Sequence, residues 1–126
     1  MGSLQRPTTN DERRTSFRIG RIPVRLDGEI RLVPPRDILY CVADGGRVTL
    51  VMAAGQVRGA GRIGPLARQL EPLGFFRSHR AYLVNLEHVR SVIPWTRNAY
   101  SLSLEGNKEV PLSKHRLGAL RQVLGW

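Results

Sequence analysis

The segment RIPVRLDGEIRLV, residues 21 to 33, sets two short alternating apolar runs on either side of Asp27-Gly28. Alternation puts successive side chains on opposite faces of an extended chain, and Asp-Gly supplies the left-handed backbone that a tight hairpin turn needs. The segment therefore predicts strand, turn, strand, ended by Pro34-Pro35. DILYCVADGGRVTLVMAAG, beginning at Asp37, repeats the arrangement around Asp44-Gly45-Gly46 and predicts a second hairpin. A chain that spends its first ordered third on short, sharply turned alternating runs has little length left for long helices.

Only two helices are legible. In RIGPLARQLEPLG the apolar residues Ile63, Leu66, Ala67, Leu70 and Leu73 recur at helical spacing and stop at Gly74. Between this helix and the last one, strand-like runs are expected at about 80–84, 89–93, 98–104 and 108–112, with WTRN and EGNK as turns. Ser113 then caps a terminal helix, KHRLGALRQVL, with Leu117, Leu120 and Leu124 as its buried stripe. The expected fold is mostly β with two short helices. Residues 1–20 are polar and of mixed charge and read as a flexible arm, with the folded domain at 21–126.

Composition narrows the function. Eighteen arginines and two lysines against ten acids give a formal charge of +10, so a polyanion heads the possible partners. Arginine forks suit phosphate oxygens and guanine edges. No apolar run approaches the length of a membrane helix, and the first residues lack the apolar core of a signal peptide. Cys41 is the only cysteine and fits a reducing cytoplasm. Histidines at 79, 88 and 115 lack zinc-site spacing, and no phosphate loop, dinucleotide glycine pattern or nucleophile elbow occurs, so neither catalysis nor a metal or cofactor is expected. His88, beside Glu87 in a turn, reads as a surface histidine.

Three places carry charge that folding does not explain. In FFRSHRAYLVNLEHVRSV, Arg77, His79 and Arg80 crowd the entrance to an apolar run. A strand starting at 77 would put Arg77 and His79 on one face and Arg80 on the other. A strand starting nearer Ala81 would leave 77–80 as a loop able to aim all three outward, against the plainer reading of a solvated basic loop. Phe75 and Phe76 are expected to anchor this segment to the core. Ser113, Lys114, His115 and Arg116 open the last helix, where free N–H groups and cations suit an anion, although an ordinary serine cap with exposed basic residues explains them too. Arg47 leaves the Asp44-Gly45-Gly46 turn.

Taken in order, Phe76, Arg77, His79, Tyr82, Val84, Asn85 and Leu86, then a hairpin and Pro111-Leu112-Ser113, resemble the LytTR family of bacterial DNA-binding domains. The resemblance covers about residues 22 to 124. It implies an elongated stack of antiparallel β-sheets without a recognition helix, whose loops enter the major groove of double-stranded DNA. It also implies a cytoplasmic transcription regulator, usually the output half of a response regulator, on paired direct repeats in promoters that a second copy can share. Carried over by position, the DNA-binding residues would be Arg47, Arg77, His79, Arg80, Ser113, Lys114 and His115, while Asn85 would hold local backbone. Family members often have asparagine or serine where Arg80 stands, which leaves the preferred sequence open.

Two other readings stand beside it. Arg13-Arg14-x-x-x-Arg18 before a strand resembles the arginine motif of PilZ domains that bind cyclic di-guanylate, but the Asp/Asn-x-Ser-x-x-Gly motif of that site does not follow. A structured-RNA binder would share the charge, yet it would lack the exposed aromatics of single-strand readers.

Overall fold

The computed structural model describes residues 20–126. The arm expected at 1–20 and the Arg13-Arg14-x-x-x-Arg18 motif therefore lie outside the described residues, apart from Gly20. From there the chain builds three antiparallel sheets.

The first hairpin pairs β1 (Ile22–Leu26) with β2 (Glu29–Val33) across Asp27-Gly28, as its pattern requires. A 3-10 turn at Pro35–Asp37 leads into β3 (Ile38–Asp44), which pairs with β4 (Arg47–Met52). Gly45 and Gly46 close that hairpin with φ of 58° and 81°, both in the left-handed region where a side chain is strained. Next come β5 (Gly55–Ala60), helix α1 (Ile63–Leu70), β6 (Phe75–His79) and β7 (Tyr82–Asn85). These complete a five-stranded sheet of order β5-β4-β3-β7-β6. β8 (Val89–Pro94), β9 (Tyr100–Leu104) and β10 (Lys108–Leu112) form a three-stranded meander, and α2 (Leu117–Leu124) ends the chain.

The five-stranded sheet is the central layer because β3, β6 and β7 carry apolar side chains on both faces. On one side Cys41, Leu50, Phe75 and Leu83 pack with Ile22, Val24 and Val33 of the first hairpin and with Ile63, Ala67 and Leu70 of α1. On the other, Phe76 and Val84 meet Leu102, Leu104, Val110 and Leu112 of the meander and Leu120 of α2. Phe75 and Phe76, adjacent in sequence, thus enter opposite cores, as strand alternation dictates. Burial pushes the Cys41 thiol up to about 12, so it behaves as a small apolar side chain.

Several expectations are corrected. β5 was not legible as a strand because GQVRGA holds two glycines and its single large apolar side chain is Val57. It is an edge strand, and its Gly59 lets β1 lie close: a Cβ there would come within 2.5 Å of Val24 Cγ1. The strand expected from about 80 is instead two strands, with β6 occupying 75–79 ahead of the turn. Leu73 does not join the buried stripe of α1. The helix stops at Leu70, Glu71–Leu73 wind as a 3-10 turn, and Leu73 is 44% exposed. In the terminal helix the first turn, Lys114–Arg116, is 3-10, which changes the rotation per residue. Leu120 is fully buried, Leu117 half-buried and Leu124 exposed.

Candidate nucleic-acid interface

Antiparallel pairing brings separate turns to one end of the central sheet. Asp44 pairs with Arg47, Arg47 with Ala60, and His79 with Tyr82, while Val42 of β3 lies opposite Tyr82. The β3–β4 turn, the end of β5 with the α1 start, and the β6–β7 turn are therefore neighbours. The backbone joins them: Gly61 N–H donates to Gly46 O (3.3 Å) and Ala43 N–H to Ala81 O (2.8 Å). Ser113 N–H donates to Ser78 O (2.7 Å), which adds the turn before α2 to the same rim.

The β6–β7 turn explains its own crowded charge. Arg80 and Ala81 form its tip, and neither has the positive φ of a glycine turn. Side chains hold it instead. Arg77 Nε donates to His79 O (3.3 Å) and its Nη2 donates to Arg80 O, while His79 Nδ1 accepts from Ala81 N–H (3.1 Å). The His79 ring also stands edge-on to Tyr82 at 5.6 Å. Arg77 and His79 are half-buried and commit Nε, Nη2 and Nδ1 to the turn, whereas Arg80 is exposed. Neither sequence alternative holds: the segment is strand through His79, breaks at a turn over Arg80 and Ala81 and resumes as β7, and the three side chains do not project together. With Nδ1 accepting, the neutral His79 ring carries its proton on Nε2.

The turn before α2 divides its residues in the same way. Ser113 Oγ accepts from His115 N–H (3.3 Å), so it is a cap. Lys114 Nζ donates to Asn98 Oδ1 (2.8 Å), tying this turn to the β8–β9 turn. His115 is exposed, and its ring makes no hydrogen bond among the described residues. Arg116 belongs to the same group in the sequence, expected to contact an anion. Its Nε donates to Arg77 O (2.9 Å) and its guanidinium lies 4.8 Å over the Phe76 ring, so it fastens α2 to β6. No local pattern reveals that role, because its partners lie 39 and 40 positions away in sequence.

Arg47 starts β4 rather than standing at the hairpin tip. It is half-buried, with Nη2 3.5 Å from Arg58 O. Arg62, at the rim beside Gly61, immediately precedes α1 and lies at the surface. Asp44 is an acid at this rim, and its carboxylate lies 3.7 Å from the exposed Arg58 guanidinium.

Asn85 is confirmed as a backbone holder. It is 3% exposed, its Nδ2 donates to Ile38 O (3.0 Å) and Pro35 O (3.4 Å), and its Oδ1 accepts from Glu87 N–H (3.0 Å). His88, expected at the surface, is instead a strut. Its ring contacts Arg36 O through Nε2 (2.8 Å) and Glu105 Oε1 through Nδ1 (2.9 Å), which raises its pKa, chiefly through the Arg36 carbonyl. Among the described residues no cluster of three or more metal-ligating side chains occurs, and no helix is long and apolar enough to cross a membrane.

Fold and rim together define a small antiparallel β module that gathers several basic turns at one end of its central sheet. The chain belongs to the family described as LytTr DNA-binding domain, whose model matches residues 28–125. Transcriptional regulatory protein YpdB of Escherichia coli K12 is 31% identical over 99 residues, covering 78% of this chain and 41% of that protein. Transcriptional regulatory protein NatR of Bacillus subtilis is 25% identical over 99 residues, 78% of this chain and 42% of that protein. The chain thus spans less than half the length of these relatives. A LytTr DNA-binding domain of a putative methyl-accepting/DNA response regulator from Bacillus cereus superposes with a TM-score of 0.75 at 20% identity. That likeness covers 85% of this chain and 98% of that one, and it bears on the fold.

Proposed function

We propose that this chain binds double-stranded DNA in a sequence-specific manner through the turns of its basic rim, as the DNA-binding part of a cytoplasmic transcription regulator. The observation that carries this reading is the division of labour at the rim. Arg77, His79, Ser113, Lys114 and Arg116 spend hydrogen bonds on stiffening two turns, and those turns present Arg80 and His115 to solvent. Stiff turns carrying unpaired donors suit base edges in a groove, where arginine to guanine is the commonest specific contact. Arg80 and His115 are the readers, Arg47 reaches a phosphate at the flank, and His79, Ser113 and Lys114 act by positioning, as do the Nε and Nη2 of Arg77.

Paired direct repeats, each taken by one copy, are the arrangement this reading adopts for the promoter. The arginines at Arg6, Arg13, Arg14 and Arg18 in the 1–20 arm would add contacts to the phosphate backbone. No catalytic step is assigned to the module.

Arg80→Ala and His115→Ala test the reading. Both side chains are exposed, so the melting temperature should hold while specific duplex binding weakens by about 1–3 kcal/mol per lost base contact. Unchanged discrimination between specific and random duplex in both variants would overturn the assignment.

A further inference from the structure

One concavity at the rim is not used by the proposed readers. About 360 Å3 in size, it lies between the β3–β4 turn, the β5–α1 loop and β6, and is lined by Arg47, Arg62 and Arg77 together with Gly46, Gly61 and Gly64. Three guanidinium-bearing residues line one hollow with a single acid, Asp44, which leaves it a net positive charge. Two of the three are held in place: Arg77 by the carbonyls of His79 and Arg80, and Arg47 by burial of its Nε, which finds no acceptor among the described residues.

The backbone adds to the field. Helix α1 starts at this hollow with no acid in its first turn and no capping bond from the Arg62 side chain. Its first N–H groups therefore keep their positive end toward the cavity. The glycines leave it open: no atom lies within 4 Å of a Cβ built at Gly46, Gly61 or Gly64. Asp44 borders the hollow as well, and its carboxylate has Arg58 for a neighbour.

We propose that this concavity is a phosphate seat, holding one phosphate group between Arg47, Arg62, Arg77 and the start of α1. Its position beside the Arg80 turn makes a DNA backbone phosphate the natural occupant, which fixes the register of the readers on the duplex. The seat rests on the DNA-binding reading only for that source. A free phosphorylated compound carries the same group.

Gly64 allows a test that separates folding from binding. Its backbone φ is ordinary and its Cβ direction is open, so Gly64→Asp places a carboxylate at the helix start, where the fold favours it and a phosphate does not. The melting temperature should stay or rise, and the salt dependence of duplex binding should fall. Arg62→Ala should lower the slope of log K against log salt by about 0.9, the value for one phosphate contact, with sequence preference retained.

In parallel, inorganic pyrophosphate is titrated into the 15N-labelled chain while the Gly61 and Gly64 amides are followed. Saturable shifts that Arg62→Ala abolishes would extend the seat to free phosphorylated compounds. Loss of salt slope without such shifts would assign it to the DNA backbone alone. Parental slopes in both Arg62→Ala and Gly64→Asp, with neither amide moved, would overturn the proposal. Should the parent chain bind no duplex, the DNA-binding reading falls, and the pyrophosphate titration alone decides the seat.

Discussion

Asn85 lies in the segment that most resembles the family, yet its geometry assigns it to folding, and replacing it with alanine tests that assignment. The substitution removes a donor to Ile38 O at 3.0 Å, a weaker one to Pro35 O at 3.4 Å and an acceptor for Glu87 N–H at 3.0 Å. The site is 3% exposed, so water does not readily replace these partners. A buried polar group left unsatisfied costs about 1–3 kcal/mol, which for the two shorter bonds suggests about 3 kcal/mol in all. With an unfolding entropy of about 2.1 cal/mol/K per residue, that lowers Tm by about 14 °C in a domain of about 100 residues. Thermal melts followed by circular dichroism measure the shift. Duplex binding well below the lowered Tm should keep the parental sequence preference. A variant that melts within about 3 °C of the parent but loses that preference would refute the reasoning and make Asn85 a reader.

Two further substitutions probe the layers beneath the rim. The His88 ring lies between two oxygens, and only the doubly protonated ring donates to both. Its folded pKa is raised above 6.5, so its contribution is full below about 6.5 and is lost as pH rises through the folded value. Melts between pH 5.5 and 8.5 should therefore show a decline toward high pH that His88→Ala flattens; an identical pH profile in the variant would contradict the strut. Gly59→Ala should destabilise by about 1–3 kcal/mol, because the new methyl meets Val24 Cγ1 at 2.5 Å and the Arg25 carbonyl at 3.1 Å. Urea titration reads the loss, and a parental midpoint would show that β1 does not press on β5 as described.

How much of this was legible in the sequence depends on the range of the signal. Both glycine-turned hairpins were readable because Asp27-Gly28 and Asp44-Gly45-Gly46 specify their turns locally. The opposite burial of Phe75 and Phe76 follows from alternation once β6 is placed, but β6 itself was obscured by the arginine and histidine at its end. Those residues looked like ligands because a sequence does not show that Arg77 donates to carbonyls two and three residues on. β5 was missed because its reason for being a strand is the neighbour that closes on Gly59. The same limit applies to the rim. Arg47, Arg80 and His115 stood out in three separate stretches, whereas the hollow that Arg62 shares with Arg47 and Arg77 arises only when turns far apart in the chain meet at one sheet end.

The central claim is that the basic rim reads sequence, and a net charge of +10 would bind duplex DNA without reading anything. Selection from a random duplex pool at near-physiological salt, run with the parent chain and with Arg80→Ala, separates the two most directly. The account expects the parent to enrich a short motif, repeated in the same direction at a fixed spacing of about one helical turn or somewhat more. It expects Arg80→Ala to lose preference at one position of that motif. A pool retained by charge with no enriched sequence, or an identical motif from both proteins, would contradict it.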